Sequence, residues 1–314
     1  MIRWGFLGAG WIATTALAPA VHSARNGILH GVASRDRGRA EALHPQKVYE
    51  RYEDLLADPE IDAVYINLAN HQHCQWTVAA LAAGKDVLCE KPLALDLAQG
   101  QVMADAAKKY NRLLVEAVWS RWHPRFVRIV ELVAGGDIGK LLEIDSSFCF
   151  TAEFQNNYRL ISEMGGGSLL DVGVYQAHVW RALNHGEPEL EIKSLTQSLG
   201  ATGEDLTTQI YGELNNGVKI SALSSFEMPE MQRLVISGQA ATIECLGNDA
   251  FTSWKKPSSM RIGNHLQEFA PVDPYSIMIE NFGNYIKGEP AWIPPIEQSL
   301  YVMKVLDQIK SSVA

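Results

Sequence analysis

The sequence predicts an α/β domain with a parallel sheet, followed by an α+β domain whose sheet is mostly antiparallel. In residues 1–118, short apolar runs alternate with helical stretches, the pattern of parallel strands joined by crossover helices. After Trp119, strand-like runs follow one another, and Asn215-Asn216-Gly217 between two of them is typical of a hairpin turn. The chain has 314 residues, more than one domain usually holds. We therefore predict domains at 1–119 and 120–314.

The first domain is predicted to alternate strands and helices along its whole length. The strands are expected at 2–7, 29–34, 63–68, 85–89 and 113–118. The helices are expected at 12–22, 39–43, 73–83 and 97–110. Gly84 stands where a helix C-cap belongs, directly before a strand, which supports this alternation.

The second domain is predicted to begin with a helix at 124–134, which Gly135 and Gly136 end. A further helix is expected at 168–183, and two more, at 274–287 and 295–311, close the chain. The strands are expected at 141–151, 191–198, 207–214, 218–226, 233–237 and 241–245. The last helix has apolar residues at near-helical spacing, so we expect it to dock onto a core and pack back onto the first domain.

Composition and charge exclude several classes of function. Acidic residues outnumber basic ones by 36 to 27, giving a net charge of -9, whereas a nucleic-acid-binding surface needs the opposite sign. No stretch approaches the ~18–20 apolar residues of a membrane span, and the first apolar run is too short for a signal peptide. The four cysteines form no Cys-x-x-Cys pair, which favours reduced thiols. We expect a cytoplasmic protein that binds neither nucleic acid nor a membrane.

A glycine-rich turn joins the first predicted strand to the first predicted helix. Residues 8–13 match G-x-G-x-x-A, a variant of the fingerprint of a dinucleotide-binding Rossmann domain. Gly8 permits the tight turn, and Gly10 lets the backbone approach a pyrophosphate. The amides at the helix start, near Trp11 and Ile12, then face the anion. A small-residue turn of another α/β protein would also fit, but the place between strand and helix favours dinucleotide binding.

The residues after the second strand decide between NADP and NAD. An NAD site usually has a carboxylate there, which accepts from the ribose 2′-hydroxyl. This chain has Ser34, Arg35 and Asp36, with Arg39 one helical turn further on. Ser34 and Arg35 can donate to a 2′-phosphate, and a guanidinium also stacks on adenine. We favour NADP. In the alternative, Asp36 binds the ribose of NAD and both arginines are solvated.

Two further motifs carry side chains that can move a proton. Glu90-Lys91-Pro92 follows a strand, at the edge of a parallel sheet where ligands bind. Asp171 and Tyr175 lie four residues apart, on one face of a predicted helix that follows three glycines. We expect Lys91 to point toward the nicotinamide and the substrate hydroxyl. Without the lysine motif, a helix-capping Asp171 and a core Tyr175 would be the simpler interpretation.

Together, these motifs resemble the Gfo/Idh/MocA oxidoreductase family over essentially the whole chain. The matching segments are 8–13, 70–73, 84–92 and 165–175, in the family's order. Residues 116–124 are most similar to the branch of dihydrodiol dehydrogenases and NADP-dependent xylose dehydrogenases. Leu68-Ala69-Asn70 departs from the family's common Thr-Pro-Asn.

The resemblance implies a Rossmann domain joined to a large, open, mostly antiparallel sheet, through which homodimers or homotetramers form. It also implies catalytic roles for Lys91, Asp171 and Tyr175. With the motifs above, the expected cofactor-binding residues are Gly8, Gly10, Trp11, Ile12, Ser34, Arg35, Arg39, Leu68, Asn70, His73, Glu90 and Lys91. We expect the substrate to contact aromatic side chains, which pack on the face of a ring, and arginine or aspartate side chains, which bind hydroxyl groups. These are Trp119, Arg121, Phe148, Arg159, Asp171, Tyr175 and Trp254. We expect no metal site, since the spacing in 71–74 fits no common zinc pattern.

The expected function is an NAD(P)-dependent, and in particular NADP-dependent, dehydrogenase or reductase of a sugar, cyclic polyol or vicinal diol. The cofactor exchanges the hydride, and Tyr175 is expected to exchange the proton. A phenol with a pKa near 10 is a poor base, so Lys91 is expected to favour the phenolate. Asp171 would accept from a substrate hydroxyl or orient Lys91. The alternatives are a non-catalytic dinucleotide-binding regulator and a glucose–fructose-type oxidoreductase that holds its cofactor tightly.

Overall fold

Two separate sheets organise the chain, which this computed structural model describes over residues 1–312. Around them the chain divides into two units. Unit 1 comprises Met1–Trp119 and Asp273–Leu300, and unit 2 comprises Ser120–Val272 with the described residues from Tyr301 onward. No helix in this part of the chain is long and apolar enough to cross a membrane.

Unit 1 holds a six-stranded parallel sheet in the order β3-β2-β1-β4-β5-β6, the strand order of a Rossmann domain. Every residue of the three strands on one side of β1 is buried, as expected of strands covered on both faces, and the buried residues include the acids Asp86, Glu90 and Glu116. The strands are β1 (Ile2–Leu7), β2 (Gly27–Ala33), β3 (Lys47–Tyr49), β4 (Ala63–Ile66), β5 (Asp86–Glu90) and β6 (Leu114–Ala117). The helices that join them are α1 (Ala18–Ser23), α2 (Arg37–Glu41), α3 (Tyr52–Ala57), α4 (His73–Ala82) and α5 (Leu97–Tyr110).

Unit 2 holds an eight-stranded sheet in which every neighbouring pair is antiparallel except β7 and β10. The order is β14-β13-β12-β11-β7-β10-β9-β8. The strands are β7 (Leu141–Cys149), β8 (Leu190–Leu199), β9 (Asp205–Leu214), β10 (Lys219–Ser225), β11 (Met231–Gly238), β12 (Thr242–Leu246), β13 (Ser258–Ile262) and β14 (His265–Phe269). The described helices are α6 (Pro124–Ala134), α7 (Val174–Leu183) and, from Tyr301 on, α9 (Ile296–Ser311).

The two faces of this second sheet differ in burial. Ile144 pairs in register with Ile220 and Ile236, and Ile236 pairs with Ile243, so four buried isoleucines form one row. The neighbouring row places Tyr211, Arg261 and Leu266 on the opposite, exposed side. Because side chains alternate along a strand, the sheet has one covered face and one open face. The predicted open, mostly antiparallel sheet is confirmed.

A further helix, α8 (Pro274–Ile286), belongs to unit 1 and corrects the predicted domain boundaries. Trp4 of β1 packs against Phe282, with ring centroids 5.2 Å apart. The Asn26 amide donates to the Glu280 carbonyl oxygen at 2.8 Å and to Asn284 Oδ1 at 2.7 Å. These contacts place 273–300 with the first sheet. The boundary between the two units at Leu300 falls inside α9, so most of that helix belongs to unit 2.

Candidate active site

The turn after β1 requires glycine at its first position. Gly8 has a φ of +99°, and a Cβ there would lie 2.8 Å from the Asn67 carbonyl oxygen. The Gly8 N–H donates to the Ala33 carbonyl at 2.9 Å, and the Asn67 side-chain amide donates to the Gly8 carbonyl at 3.2 Å. Gly8 is therefore held where the carboxyl ends of β1, β2 and β4 meet.

The next part of the turn fits a dinucleotide. A Cβ at Gly10 would meet no atom within 4 Å, so the backbone there faces open space that a pyrophosphate can enter. Trp11 is 74% exposed, and Ile12 leads into a π-helical turn, Ala13–Leu17, that precedes α1. The unpaired amides of a helix start are the donors that bind such an anion. The predicted single helix over 12–22 thus begins with a wider turn.

At the end of β2, Asp36 is engaged with its own helix. It is the N-cap of α2, where its Oδ1 accepts from the Arg39 N–H at 3.0 Å. Its Oδ2 lies 3.2 Å from Arg39 Nε, and its N–H donates to the Ser34 hydroxyl at 3.1 Å. Arg35 is exposed. Ser34 and the exposed Arg35 thus follow the carboxyl end of β2, while Arg39 is paired with Asp36.

His73 connects the loop after β4 to the turn after β5. Its ring is fully buried, with Nδ1 2.8 Å from the Pro92 carbonyl oxygen and Nε2 3.0 Å from the Leu68 carbonyl oxygen. Burial lowers the pKa of His73. Asn70 is also buried, and the Leu68 side chain approaches Gly8. The structure therefore brings together the predicted residues Gly8, Leu68 and His73.

The turn after β5 carries Lys91, which is half-buried and joined to Pro92 by a cis peptide bond. The buried Glu90 carboxylate accepts from the Tyr65 hydroxyl at 2.8 Å and from the Lys91 N–H at 3.2 Å. Glu90, predicted as a cofactor-binding residue, thus holds the turn with both oxygens. A second buried carboxylate, Glu116, accepts from the Leu93 N–H at 3.0 Å. Neither Tyr65 nor Glu116 was predicted from the sequence as a site residue.

In unit 2, Asp171 forms an ion pair with a residue predicted to bind substrate. Arg159 Nε lies 3.1 Å from Asp171 Oδ2. The Arg159 guanidinium also lies over two rings, 4.9 Å from the centroid of Tyr158 and 5.5 Å from that of Phe154. Asp171 is buried in a π-helical turn, Leu169–Gly173, that precedes α7. The guanidinium therefore balances the buried carboxylate.

Tyr175, near the start of α7, lies in a cluster of aromatic rings. Its centroid is 5.7 Å from that of Phe148 and 6.3 Å from that of Phe251, and the latter two rings stack at 5.5 Å. Phe148 was predicted to line the substrate site, whereas Phe251 was missed because a lone aromatic in a loop gives no sequence signal. All three rings are buried, so the cluster fixes the position of the Tyr175 ring and forms an apolar wall beside it.

Three other predicted substrate residues have different surroundings. Trp119 is buried in unit 1, where it stacks on Tyr275 with centroids 4.9 Å apart. Arg121 is buried, in the 3₁₀ turn Trp119–Trp122. Trp254 is half-buried, with the Lys255 ammonium 4.9 Å from its ring centroid. Trp119 thus has a packing role within unit 1.

Among residues 1–312, one cluster has the side chains of a metal site. His30, Asp58 and Glu60 have ligand-type atoms within 4.8 Å of one another. The Lys47 ammonium lies 3.0 Å from Asp58 Oδ2 and 2.6 Å from Glu60 Oε2, so a cation of the chain itself stands between these carboxylates. The Tyr49 hydroxyl, with Lys47, holds the pKa of Asp58 well below its usual range. We interpret the cluster as an ion-pair network.

Two family models match the chain. The oxidoreductase family, NAD-binding Rossmann fold, matches residues 2–117, and the GFO/IDH/MocA C-terminal domain matches residues 126–244. The chain is 32% identical to D-xylose 1-dehydrogenase (NADP(+)) 2 of Haloferax volcanii, over 99% of this chain and 97% of that protein. It is 30% identical to trans-1,2-dihydrobenzene-1,2-diol dehydrogenase of Mus musculus, over 86% of this chain and 80% of that protein.

A solved structure is similar over the same length. It is a 3-ketoreductase from Actinomadura kijaniata in complex with NADP and TDP-benzene. The TM-score is 0.89 at 25% identity, covering 99% of this chain and 97% of that one. An aldose–aldose oxidoreductase from Caulobacter crescentus, 22% identical, shares the fold with a TM-score of 0.88.

Proposed function

Because this chain belongs to the Gfo/Idh/MocA oxidoreductase family, we propose that it is an NADP-dependent dehydrogenase or reductase. The proposed substrate is a sugar, cyclic polyol or vicinal diol, at a secondary alcohol or carbonyl. The observation that carries the proposal is the arrangement at one edge of the unit 1 sheet. A glycine turn with room for a diphosphate and the turn that holds Lys91 both lie there, connected through Leu68 and His73.

The choice of NADP is supported by the side chains after β2. A carboxylate that already caps α2 and pairs with Arg39 is a poor partner for a ribose 2′-hydroxyl. Ser34 and Arg35 offer a hydroxyl and a guanidinium, which suit a 2′-phosphate. The Haloferax volcanii relative is named as NADP-dependent, and the Actinomadura kijaniata ketoreductase was solved with NADP.

In the proposed mechanism, the nicotinamide, when bound, supplies or accepts the hydride at the substrate carbon. Tyr175 takes the proton from the substrate hydroxyl during oxidation and returns it to the carbonyl oxygen during reduction. Lys91 is the cation that we assign to this step, because a positive charge near a phenol favours the phenolate. Asp171, balanced by Arg159, accepts from a second substrate hydroxyl. Acid–base help of this kind is worth roughly 10²–10⁴-fold in rate.

The proposed substrate surface in unit 2 combines an apolar wall with polar groups. Phe148 and Phe251, beside the Tyr175 ring, would pack on the face of a ring-shaped substrate. Arg121, Arg159 and Trp254 are the further residues that we propose to select among hydroxyl patterns. This combination favours a polyhydroxylated or cyclic diol over a simple alcohol.

The experiment is a turnover panel with the purified full chain. Reduction of NADP and of NAD is followed with aldoses, cyclic polyols and trans-diols, and the reverse reaction with the matching carbonyls. We expect turnover with at least one class and a preference for NADP. Lys91→Met, which keeps an unbranched side chain but removes the ammonium, should lose turnover and still bind NADPH. Absence of turnover throughout the panel, or a preference for NAD, would contradict the proposal.

A further inference from the structure

The helix segment that carries Asp171 and Tyr175 begins on a carboxylate from another element. Asp205, the first residue of β9, accepts from the Leu169 N–H at 2.8 Å through Oδ2. The same oxygen accepts from the Ser168 hydroxyl at 2.7 Å and from the Thr208 hydroxyl at 2.8 Å. The first amides of a helix lack partners within the helix, and a side chain at the N-cap usually satisfies one of them. Here the Ser168 side chain makes no such bond, and Asp205 accepts instead.

The same region is fixed by close packing. Gly167 has a φ of +110°, and a Cβ there would overlap Asp205 Oδ1, so only glycine lets the chain pass the carboxylate. The fully buried Ser168 hydroxyl also lies 3.2 Å from the Ser224 carbonyl oxygen and 3.1 Å from its hydroxyl. A Cβ at Gly173 would lie 3.4 Å from Ser224 Oγ. Side chains of β9 and β10 thus contact both ends of the π-helical turn.

The position of the helix start determines where the two acid–base groups lie. Leu169 stands two residues before Asp171 and six before Tyr175. The turn Leu169–Gly173, which lies before Tyr175, is π-helical. This wider turn is rare in proteins overall, but where it occurs it is often at a functional site. A change in the first turn would therefore displace Asp171 directly and rotate the beginning of α7, where Tyr175 lies.

We propose that Asp205 is a positioning residue for the reaction, because it sets the start of this helix and through it the places of the Asp171 carboxylate and the Tyr175 hydroxyl. The inference rests on the proposed function for its effect on turnover. A carboxylate at a helix N-terminus is also favourable to the helix dipole. Burial raises the pKa of the Asp205 carboxyl, while its bonds from Ser168, Thr208 and Leu169 act in the opposite direction.

The test compares Asp205→Ala and Asp205→Asn with Thr208→Val, which removes one donor to the same oxygen and leaves the helix start untouched. For Asp205→Ala we expect kcat to fall about 10- to 100-fold, since a displacement of about 1 Å can cost that much, with the KM for NADPH nearly unchanged. Asp205→Asn keeps an oxygen that can accept from Leu169, so its kcat should lie between those of wild type and Asp205→Ala. Thr208→Val should stay close to wild type. Each rate is referred to the folded fraction measured by circular dichroism.

Hydrogen exchange gives a second readout that needs no turnover. Loss of a helix cap should speed exchange of the amides in 168–175 by about 5- to 30-fold. Amides of α4 in unit 1 should not change. If wild type turns over no substrate of the panel, the proposed function fails, and the exchange measurement still decides whether Asp205 sets the helix start.

Wild-type kcat in folded Asp205→Ala, or unchanged exchange in 168–175, would overturn the inference. A KM for NADPH that rises as steeply as kcat falls would also overturn it, because the effect would then not be confined to the helix. If Asp205→Ala does not fold, Asp205→Asn decides. If the kcat of Asp205→Asn is below that of Thr208→Val and exchange in 168–175 is faster, the inference is supported. If the two variants have equal kcat and equal exchange rates, it is refuted.

Discussion

At the scale of single residues, local structure decides which side chains can recognise a ligand. Asp36 has the residue type and position expected of a ribose-binding carboxylate, but its oxygens cap α2 and pair with Arg39. Glu90 likewise accepts from Tyr65 and from its own neighbour's N–H. Both residues contribute to the site by shaping the turns that carry Arg35 and Lys91.

The first prediction concerns cofactor choice. Arg35→Ala should raise the KM for NADPH about 10- to 100-fold, because a hydrogen bond to a charged group contributes about 1.5–3 kcal/mol. The KM for NADH should change little, since NADH has no 2′-phosphate. Steady-state kinetics with both cofactors measure this difference. Arg37→Ala is the matched control, because Arg37 is exposed and pairs with Glu41 on α2. Equal losses with both cofactors would argue against a phosphate-binding role.

At the scale of helices and strands, the sequence predicts elements well where local signals agree. The bounds of α5 and α6 are predicted to the residue: Asp96 caps α5 by accepting from Gln99, and His123 precedes Pro124 at the start of α6. The short or half-exposed elements β3, α3, β13 and β14 were missed, since a few residues carry no clear period.

The same limit applies to the candidate site. Lys91, Asp171 and Tyr175 stand in motifs and could be found from sequence alone. The π-helical turn before α7 could not, because it depends on contacts with Ser224 and Asp205, which are distant in the chain. Partners that act through tertiary contact leave no local signal.

The second prediction concerns the cap of α6. His123 Nδ1 accepts from the Arg125 N–H at 3.1 Å, which requires that nitrogen unprotonated, and burial lowers the pKa of His123 to about 4. The unfolded chain, with a pKa near 6.5 at this histidine, binds the proton first as the pH falls. His123 should therefore contribute its full share of the free energy of unfolding above about pH 6.5 and lose it as the pH falls toward about 4. The expected loss from this group is about 2–3 kcal/mol.

His123→Asn keeps a cap acceptor and should remove this part of the loss. Urea unfolding at about pH 7 and about pH 4.5 gives the two free energies of unfolding. His185→Asn, at an exposed histidine, serves as the control. An identical pH dependence in His123→Asn and wild type would show that this ring does not govern acid stability.

At the scale of the whole molecule, the open face of the second sheet has a consequence for assembly. Tyr211 is 48% exposed on this face. It belongs to a row of paired residues that runs across the sheet from Tyr211 through Ser221 and Asp145 to Val235. A broad sheet face that mixes aromatic, aliphatic and charged side chains is suited to pairing with a second copy. We propose that the protein forms a homodimer or homotetramer through this face.

The third prediction follows from that proposal. Light scattering after size exclusion should give a mass two or four times the 34.7 kDa of one chain. Tyr211→Arg should lower it toward one chain, because a charge without a partner is costly to bury in an interface. Trp292→Arg, at a 45% exposed aromatic of unit 1, should not. A monomeric wild type, or an unchanged mass in Tyr211→Arg, would exclude assembly through the open face.

The central claim is that Tyr175 exchanges the substrate proton beside a bound nicotinamide. The turnover of Tyr175→Phe with NADPH and a carbonyl substrate from the panel tests this claim most directly. Phe keeps the ring that packs on Phe148 and Phe251 and removes only the hydroxyl. We predict that the kcat of Tyr175→Phe falls roughly 10²–10⁴-fold while its affinity for NADPH is unchanged. The control is Tyr285→Phe, at an exposed tyrosine of α8, which should keep the wild-type kcat. Wild-type kcat in Tyr175→Phe would contradict the account.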